Sequence, residues 1–189
     1  MTILINMFGS PSSGKTSLSA KLFAQLKAMD LNVEYSPEYV KSWCYESKPV
    51  GKYGQFTIFG EEVRRQSRLF NVVDFAISDS PVALTGFYNY FYNDGDNSLS
   101  PACKSFYKKA AEDNIQVINF FLPRKKKYVN KGRYQTEEEA NKVAQELKAW
   151  LDNEGYEYIE LHCADKDRLD YVISKLREMT GDFHGLSMV

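Results

Sequence analysis

The sequence predicts an α/β fold: a five-stranded parallel sheet with helices on both faces. Three observations carry that prediction. Apolar runs of strand length alternate with longer stretches of helical periodicity along the chain. The stretch GSPSSGKTS, Gly9–Ser17, follows the first apolar run and has the form G-x-x-x-x-G-K-[ST], a phosphate-cradling loop between a strand and a helix. Finally, 189 residues without an internal repeat or a low-complexity linker suit one domain with a real core.

The elements follow in order. Thr2–Phe8 is a short apolar strand. Leu18, Leu22, Leu26 and Met29 recur at helical spacing and predict a helix from about Gly14 to Met29. Asn32–Ser36 reads as a second strand and Glu38–Glu46 as a short helix. Lys48–Gln55, with its proline and glycines, reads as a loop. A long helix is expected from Gln55 to Val73, then a buried strand, Phe75–Ser80, carrying an acid near its end. Pro81 can open the next helix, where its missing N–H costs nothing; that helix runs to Tyr92 and breaks at Asn93–Asn97. Pro101–Glu112 is helical and Ile115–Leu122 a buried strand. Thr136 and Glu139 form a capping box for a helix whose apolar face holds Val143, Leu147, Trp150 and Leu151. Tyr156–Leu161 is the last strand. Asp165 is expected to cap the last helix, with Leu169, Val172, Ile173 and Leu176 inward. A single domain over residues 1–179 results, with a frayed tail at 180–189.

Composition narrows the classes of function. The formal net charge is −1, so no global basic excess advertises nucleic acid, although local patches remain. No apolar run approaches the roughly 18 residues a membrane span needs. The N-terminus lacks a basic region and a cleavage site, so its apolar start reads as a strand rather than a signal peptide. Three widely spaced cysteines without a C-x-x-C pair fit a reducing cytoplasm and speak against zinc and disulfides.

The chemistry-bearing residues gather after strand ends. In parallel sheets ligands bind at the carboxyl ends of strands, and Gly9, Glu38, Asp79 and Pro123 all follow such ends. Gly9, Ser10, Ser12, Ser13, Gly14, Lys15, Thr16 and Ser17 form the expected nucleotide site. There the glycines admit close backbone wrapping, Lys15 reaches the β- and γ-phosphates, and Thr16 ligates Mg²⁺. Asp79 can hold the metal's water shell or cap the following helix. Ser80 follows it, rather than the acid that activates water in many ATPases, and no N-K-x-D guanine motif is present. Glu38, in SPEYV, can accept a proton from an attacking hydroxyl or simply complement a helix start. Arg124, Lys125, Lys126, Lys127, Lys131 and Arg133 form a basic segment suited to a lid over about 123–135, Arg124 toward the nucleotide and Arg133 catalytic. Arg64, Arg65 and Arg68 lie on one long helix and either clamp an acceptor's phosphate or are solvated. The aromatic run Phe87–Tyr92 fills core or stacks a base. His162 and His184 have no metal-ligand spacing.

With the Gly9–Thr16 loop, SPEYV, ISDSP and a basic lid in this order, residues 2–179 resemble the small P-loop kinases of nucleosides and nucleotides. The pattern is most similar to the ribosylnicotinamide-kinase type, through Glu38-Tyr39, Asp79 and Gly132-Arg133. The resemblance implies a three-layer P-loop kinase fold and an ATP–Mg²⁺ phosphotransferase. It further implies Glu38 as base, Asp79 near the metal, and Glu38 and Tyr39 at the acceptor. Similar proteins are frequent in bacteriophages, including ones that phosphorylate hydroxymethyl-pyrimidines in DNA. Deoxynucleoside kinases place an arginine after the third-strand acid, whereas Ser80-Pro81 stand here. Three readings follow: transfer to a small nucleoside or nucleotide acceptor, transfer to a base in DNA, or a nucleotide-dependent switch without transfer. Three arginines on one helix favour an acceptor that already bears phosphate.

Overall fold

The computed structural model describes residues 1–125, 134 and 136–181, apart from the Lys52 side chain. The strands are β1 (Ile3–Phe8), β2 (Val33–Ser36), β3 (Phe75–Ser78), β4 (Gln116–Phe121) and β5 (Ile159–Glu160). The helices are α1 (Lys15–Ala28), α2 (Val40–Tyr45), α3 (Gly51–Ser67), α4 (Val82–Tyr92), α5 (Ser100–Glu112), α6 (Glu137–Asn153) and α7 (Arg168–Thr180). All strand pairs are parallel, in the order β2-β3-β1-β4-β5. Ile3 pairs with Phe75 on one side and Gln116 on the other.

Strand alternation divides the core into two layers. Ile3, Ile5 and Met7 of β1 face α1 and α7, where Leu18, Leu22, Leu26, Val172 and Leu176 meet them. Leu4 and Phe8 face the other way, onto clusters built from α3, α4, α5 and α6. Buried Asn6 stands opposite Asn119 and donates to its side-chain oxygen at 2.9 Å, so this polar pair in the sheet is satisfied in part within it. The three-layer P-loop fold predicted from sequence is the fold observed. Among the described residues no helix is long and apolar enough to cross a membrane.

Several element ends differ from expectation, among them the last strand, expected over Tyr156–Leu161 and observed as Ile159–Glu160. Residues predicted as a loop begin α3, which starts at Gly51 rather than Gln55. Burial of Gly54, Gln55 and Ile58 overrides the local breaking tendency of Pro49 and the two glycines. The same helix ends at Ser67 instead of reaching Val73. Asn71 adopts φ 57°, and the Thr2 hydroxyl bonds the Val73 carbonyl and accepts from the Asn71 N–H. Asp165 does not cap α7. Position Asp167 precedes the helix without a side-chain cap, and Asp165 pairs with Arg168 at 2.9 Å. The capping box at Thr136 and Glu139 is present as predicted.

The stretch NYFYNDGDN is a structural latch. Buried Asn89 donates to the Asp96 carbonyl at 2.7 Å and accepts from Asn93 at 2.9 Å. Asn97 reaches α6, donating to Glu154 at 2.9 Å and accepting from the Trp150 indole at 3.3 Å. The loop thus fixes the C-terminal end of α4 against α6.

Leu22 of α1 is fully buried beneath the sheet. Leu22→Ala is expected to destabilise the protein by about 2–5 kcal/mol, the range for a truncated core leucine. Urea unfolding followed by far-UV circular dichroism measures it.

Candidate active site

The loop after β1 is glycine-dependent for steric reasons. Gly9 has φ 147°, and a Cβ there would lie 2.6 Å from Ser13 Oγ and 2.7 Å from the Leu122 carbonyl oxygen. Gly14 has φ 100° and leads directly into α1. The loop therefore curls tightly in front of a helix N-terminus, whose unpaired N–H groups and partial positive charge suit phosphate. Lys15 folds over it, donating to the Gly9 carbonyl at 2.7 Å and the Ser10 carbonyl at 3.2 Å. Ser17 is exposed on the outer side of α1, beside a small cavity of about 100 Å³ that Gly14, Lys21, Lys166 and Arg168 also line. Ser12 takes φ 63° at the crest of the curl.

Asp79, one residue past β3 and only 2% exposed, is the meeting point of the site. One carboxylate oxygen accepts from the Thr16 hydroxyl at 2.6 Å; the other accepts from the Glu38 backbone N–H at 3.0 Å. Burial, and then the Asp79 charge, push the Tyr35 phenol far above its ordinary pKa. Thr16 and Asp79 offer two hard oxygens side by side at the mouth of a phosphate loop. That donor set fits Mg²⁺, which binds through one or two protein oxygens and completes its shell with water and phosphate. Among the described residues no group of three or more His, Cys, Asp or Glu side chains is placed to hold a metal.

A cavity of about 540 Å³ opens beside Lys15 and Glu38. Its walls come from α2 (Lys41, Cys44), the start of α3 (Gln55, Ile58) and one stripe of α4 (Leu84, Tyr88, Tyr92). Leu84, Tyr88 and Tyr92 recur at i, i+4, i+8 and so share one helix face. The rings of Tyr88 and Tyr92 stack at 6.0 Å with 13° between planes, whereas Phe87 next to them is fully buried core. Within the aromatic run, Phe87 is thus core, whereas Tyr88 and Tyr92 line the cavity.

The other sequence-predicted residues are distributed differently. None of Arg64, Arg65 or Arg68 lines the cavity. Arg64 is exposed and pairs with Glu61 at 2.8 Å, and Arg68 is exposed at the C-terminal cap of α3. Arg65 lies 4.8 Å from the Tyr39 ring centroid, a cation–π contact, with a nitrogen 3.5 Å from the Pro37 carbonyl. Arg124 is directed at the first turn of α6, donating to Asn141 and lying 3.7 Å from Glu137. Arg133 and most of the predicted lid lie outside the described residues. Tyr134, which is described, lines the cavity and donates to the Lys48 carbonyl.

Two residues of the site escaped the sequence reading. Arg168, 2% exposed, donates to the Ser13 carbonyl at 2.9 Å and to the Pro123 carbonyl at 2.7 Å, bracing the phosphate loop from the β4 side. Glu62 is fully buried, and burial pushes its carboxyl up to about 7. The spacing Ile58, Glu62, Gln66 marks a buried stripe of α3 and was the available signal for Glu62. Nothing local marks Arg168.

Residues 4–168 match the AAA domain family. The chain belongs to that family. No curated protein matches it in sequence. Among solved structures, the NadR protein in complex with NR is similar at a TM-score of 0.63 and 18% identity. That match covers 95% of this chain and 52% of the other, so the chain spans about half the length of NadR. The deoxyadenosine kinase of M. mycoides, solved with products dCMP and a flexible dCDP, is similar at a TM-score of 0.55 and 16% identity, covering 94% of this chain and 100% of that one. The same kinase with bound dATP gives a TM-score of 0.55 at 17% identity, covering 92% and 99%. The family member described here thus has the fold of these small P-loop kinases.

The raised Glu62 carboxyl gives a signed pH dependence. Its folded value of about 7 lies above the ordinary 4.5, so between these values the folded state holds a proton that the unfolded state has released. Its contribution to stability is complete below pH 4.5 and is lost as pH rises through about 7. Glu62→Gln should flatten that decline, as measured by urea midpoints across the same range.

Proposed function

We propose that this protein is an ATP-dependent phosphotransferase that passes the γ-phosphate to a hydroxyl of a nucleoside. The observation that carries the reading is the 540 Å³ cavity, which is lined by both Lys15 of the phosphate loop and Glu38. A donor loop and a carboxylate on one cavity wall are the two ends of a phosphoryl transfer. Its size and its mostly apolar, aromatic walls suit a small molecule with a planar base. Likeness of fold to a deoxyadenosine kinase supports the same class.

Glu38 takes the proton of the attacking hydroxyl as that oxygen bonds to the γ-phosphorus. The bond from the γ-phosphorus to the bridging oxygen breaks, and ADP leaves. Lys15 and the N–H groups at the start of α1 meet the charge carried by the phosphates. Thr16 and Asp79 would hold Mg²⁺, which would neutralise and align the β- and γ-phosphates. Tyr134 and the basic segment that contains it would close over the reacting groups and keep water out. No acid follows Asp79 to activate water, which favours transfer over hydrolysis.

Nucleoside is preferred over nucleotide or DNA as acceptor because of the arginines. A phosphate-bearing acceptor needs cations near its phosphate, and the described lining offers only Lys15 and Lys41. The sequence-based preference for such an acceptor rested on Arg64, Arg65 and Arg68, which stand off the cavity.

The test is a screen of labelled ATP against nucleosides, nucleotides and hydroxymethylated DNA. Transfer is expected to nucleosides, with little dependence on salt. Transfer only to DNA, falling steeply as salt rises, would mark the DNA-modifying reading instead. Lys15→Ala should abolish transfer without lowering the melting temperature. Glu38→Gln should lower kcat by roughly 10²–10⁴ with the KM for ATP unchanged. Normal turnover in the Glu38 variant overturns its role as base.

A further inference from the structure

Glu62 sits mid-way along α3, fully buried. It makes no ion pair among the described residues. An unpaired buried carboxyl is costly, and a leucine would pack there without that penalty. What the carboxyl does with its oxygens explains its presence. One accepts the Tyr39 backbone N–H at 2.9 Å. The other lies 3.5 Å from the Gln66 side-chain nitrogen, which donates to the Ser80 carbonyl at 3.0 Å. Ser80 lines the acceptor cavity.

The Tyr39 N–H belongs to the peptide plane that follows Glu38. The plane that precedes Glu38 carries the Glu38 N–H, which Asp79 holds at 3.0 Å. The angles φ and ψ of a residue are the rotations of its two flanking planes about its Cα. Fixing both planes therefore fixes the direction of the Glu38 Cα–Cβ bond. A second contact serves the same segment: Arg65 lies over the Tyr39 ring at 4.8 Å, with a nitrogen 3.5 Å from the Pro37 carbonyl. The segment needs such holding, because α2 is only six residues long and Tyr39, at its N-cap, has no side-chain cap bond.

We propose that Glu62 is a positioning residue which, together with Asp79, locks the peptide planes on either side of Glu38 and so aims the Glu38 carboxylate into the acceptor cavity. The inference rests on the reading of Glu38 as base. Glu62 touches neither reactant; it acts through the backbone. Arg65 belongs to the same support rather than to phosphate binding.

The experiment compares Glu62→Leu, Glu62→Gln and Glu38→Gln in the full chain, with amide exchange of Tyr39 followed by NMR alongside kinetics. Glu62→Leu should lower kcat about 10²-fold, the usual effect of a misplaced catalytic group, with the KM for ATP unchanged and the Tyr39 amide exchanging faster. Glu62→Gln keeps an oxygen that can accept the Tyr39 N–H, so turnover and slow exchange should largely return. Normal kcat in folded Glu62→Leu, with Glu38→Gln inactive, overturns the positioning role and leaves the base intact. Normal kcat in Glu38→Gln overturns the base itself. Should Glu62→Leu not fold, Tyr39→Pro removes the same hydrogen bond from the other side, since the Tyr39 φ of −70° is one proline adopts. A normal kcat in that variant overturns the proposal equally.

Discussion

The buried carboxylate of Asp79 is the interaction on which the site depends. Parallel strands end at one edge, so whatever follows β1, β2 and β3 arrives at the same place. The order β2-β3-β1 puts Asp79 in the middle, within reach of both neighbours. It uses one oxygen on Thr16, from the helix after β1, and the other on the backbone of Glu38, after β2. A changed strand order would separate the phosphate loop from the Glu38 segment. The group is almost fully shielded, and beside it the Tyr35 phenol is raised, first by its own burial and then by the Asp79 charge.

Arg168 does the complementary work on the other side of the loop. Its guanidinium accepts nothing and has several donors, so it suits carbonyl oxygens that curl toward it. Holding the Ser13 and Pro123 carbonyls, it joins the phosphate loop to the end of β4, where the basic segment starts. The loop is thus gripped by a carboxylate through Thr16 and by a guanidinium through its backbone. Preorganised donors of this kind need little rearrangement when charge develops near them.

The cavity walls away from the phosphate loop are built from helices instead of strand ends. The stripe of α4 that forms one wall is held by packing of the adjoining Phe87 against Trp150 and by the Asn89–Asn97 latch onto α6. The opposing wall rests on α3, whose buried Glu62 and Gln66 link Tyr39 to Ser80. Thr85 in the lining donates to the Val82 carbonyl and Gln66 behind it to the Ser80 carbonyl, bonds to backbone that help the walls keep their shape.

The sequence alone determined the strand–helix alternation, the three-layer architecture, the phosphate loop, the capping box at Thr136, and the gathering of Glu38 and Asp79 near that loop. Each depends on spacing within a few residues or on which residue follows a strand, and in a parallel sheet strand ends converge by rule. Helix ends at Gly51 and Ser67 were not legible, because burial of Gln55 and the reach of Thr2 act across dozens of positions. Only the tertiary structure decided the cavity lining, the placement of Arg64 and Arg68 away from it, and the support given by Glu62. It alone also brought Arg168 to Ser13, 155 residues earlier in the chain. A buried charge takes its role from the backbone groups that folding brings to it, and no local pattern records which groups those will be.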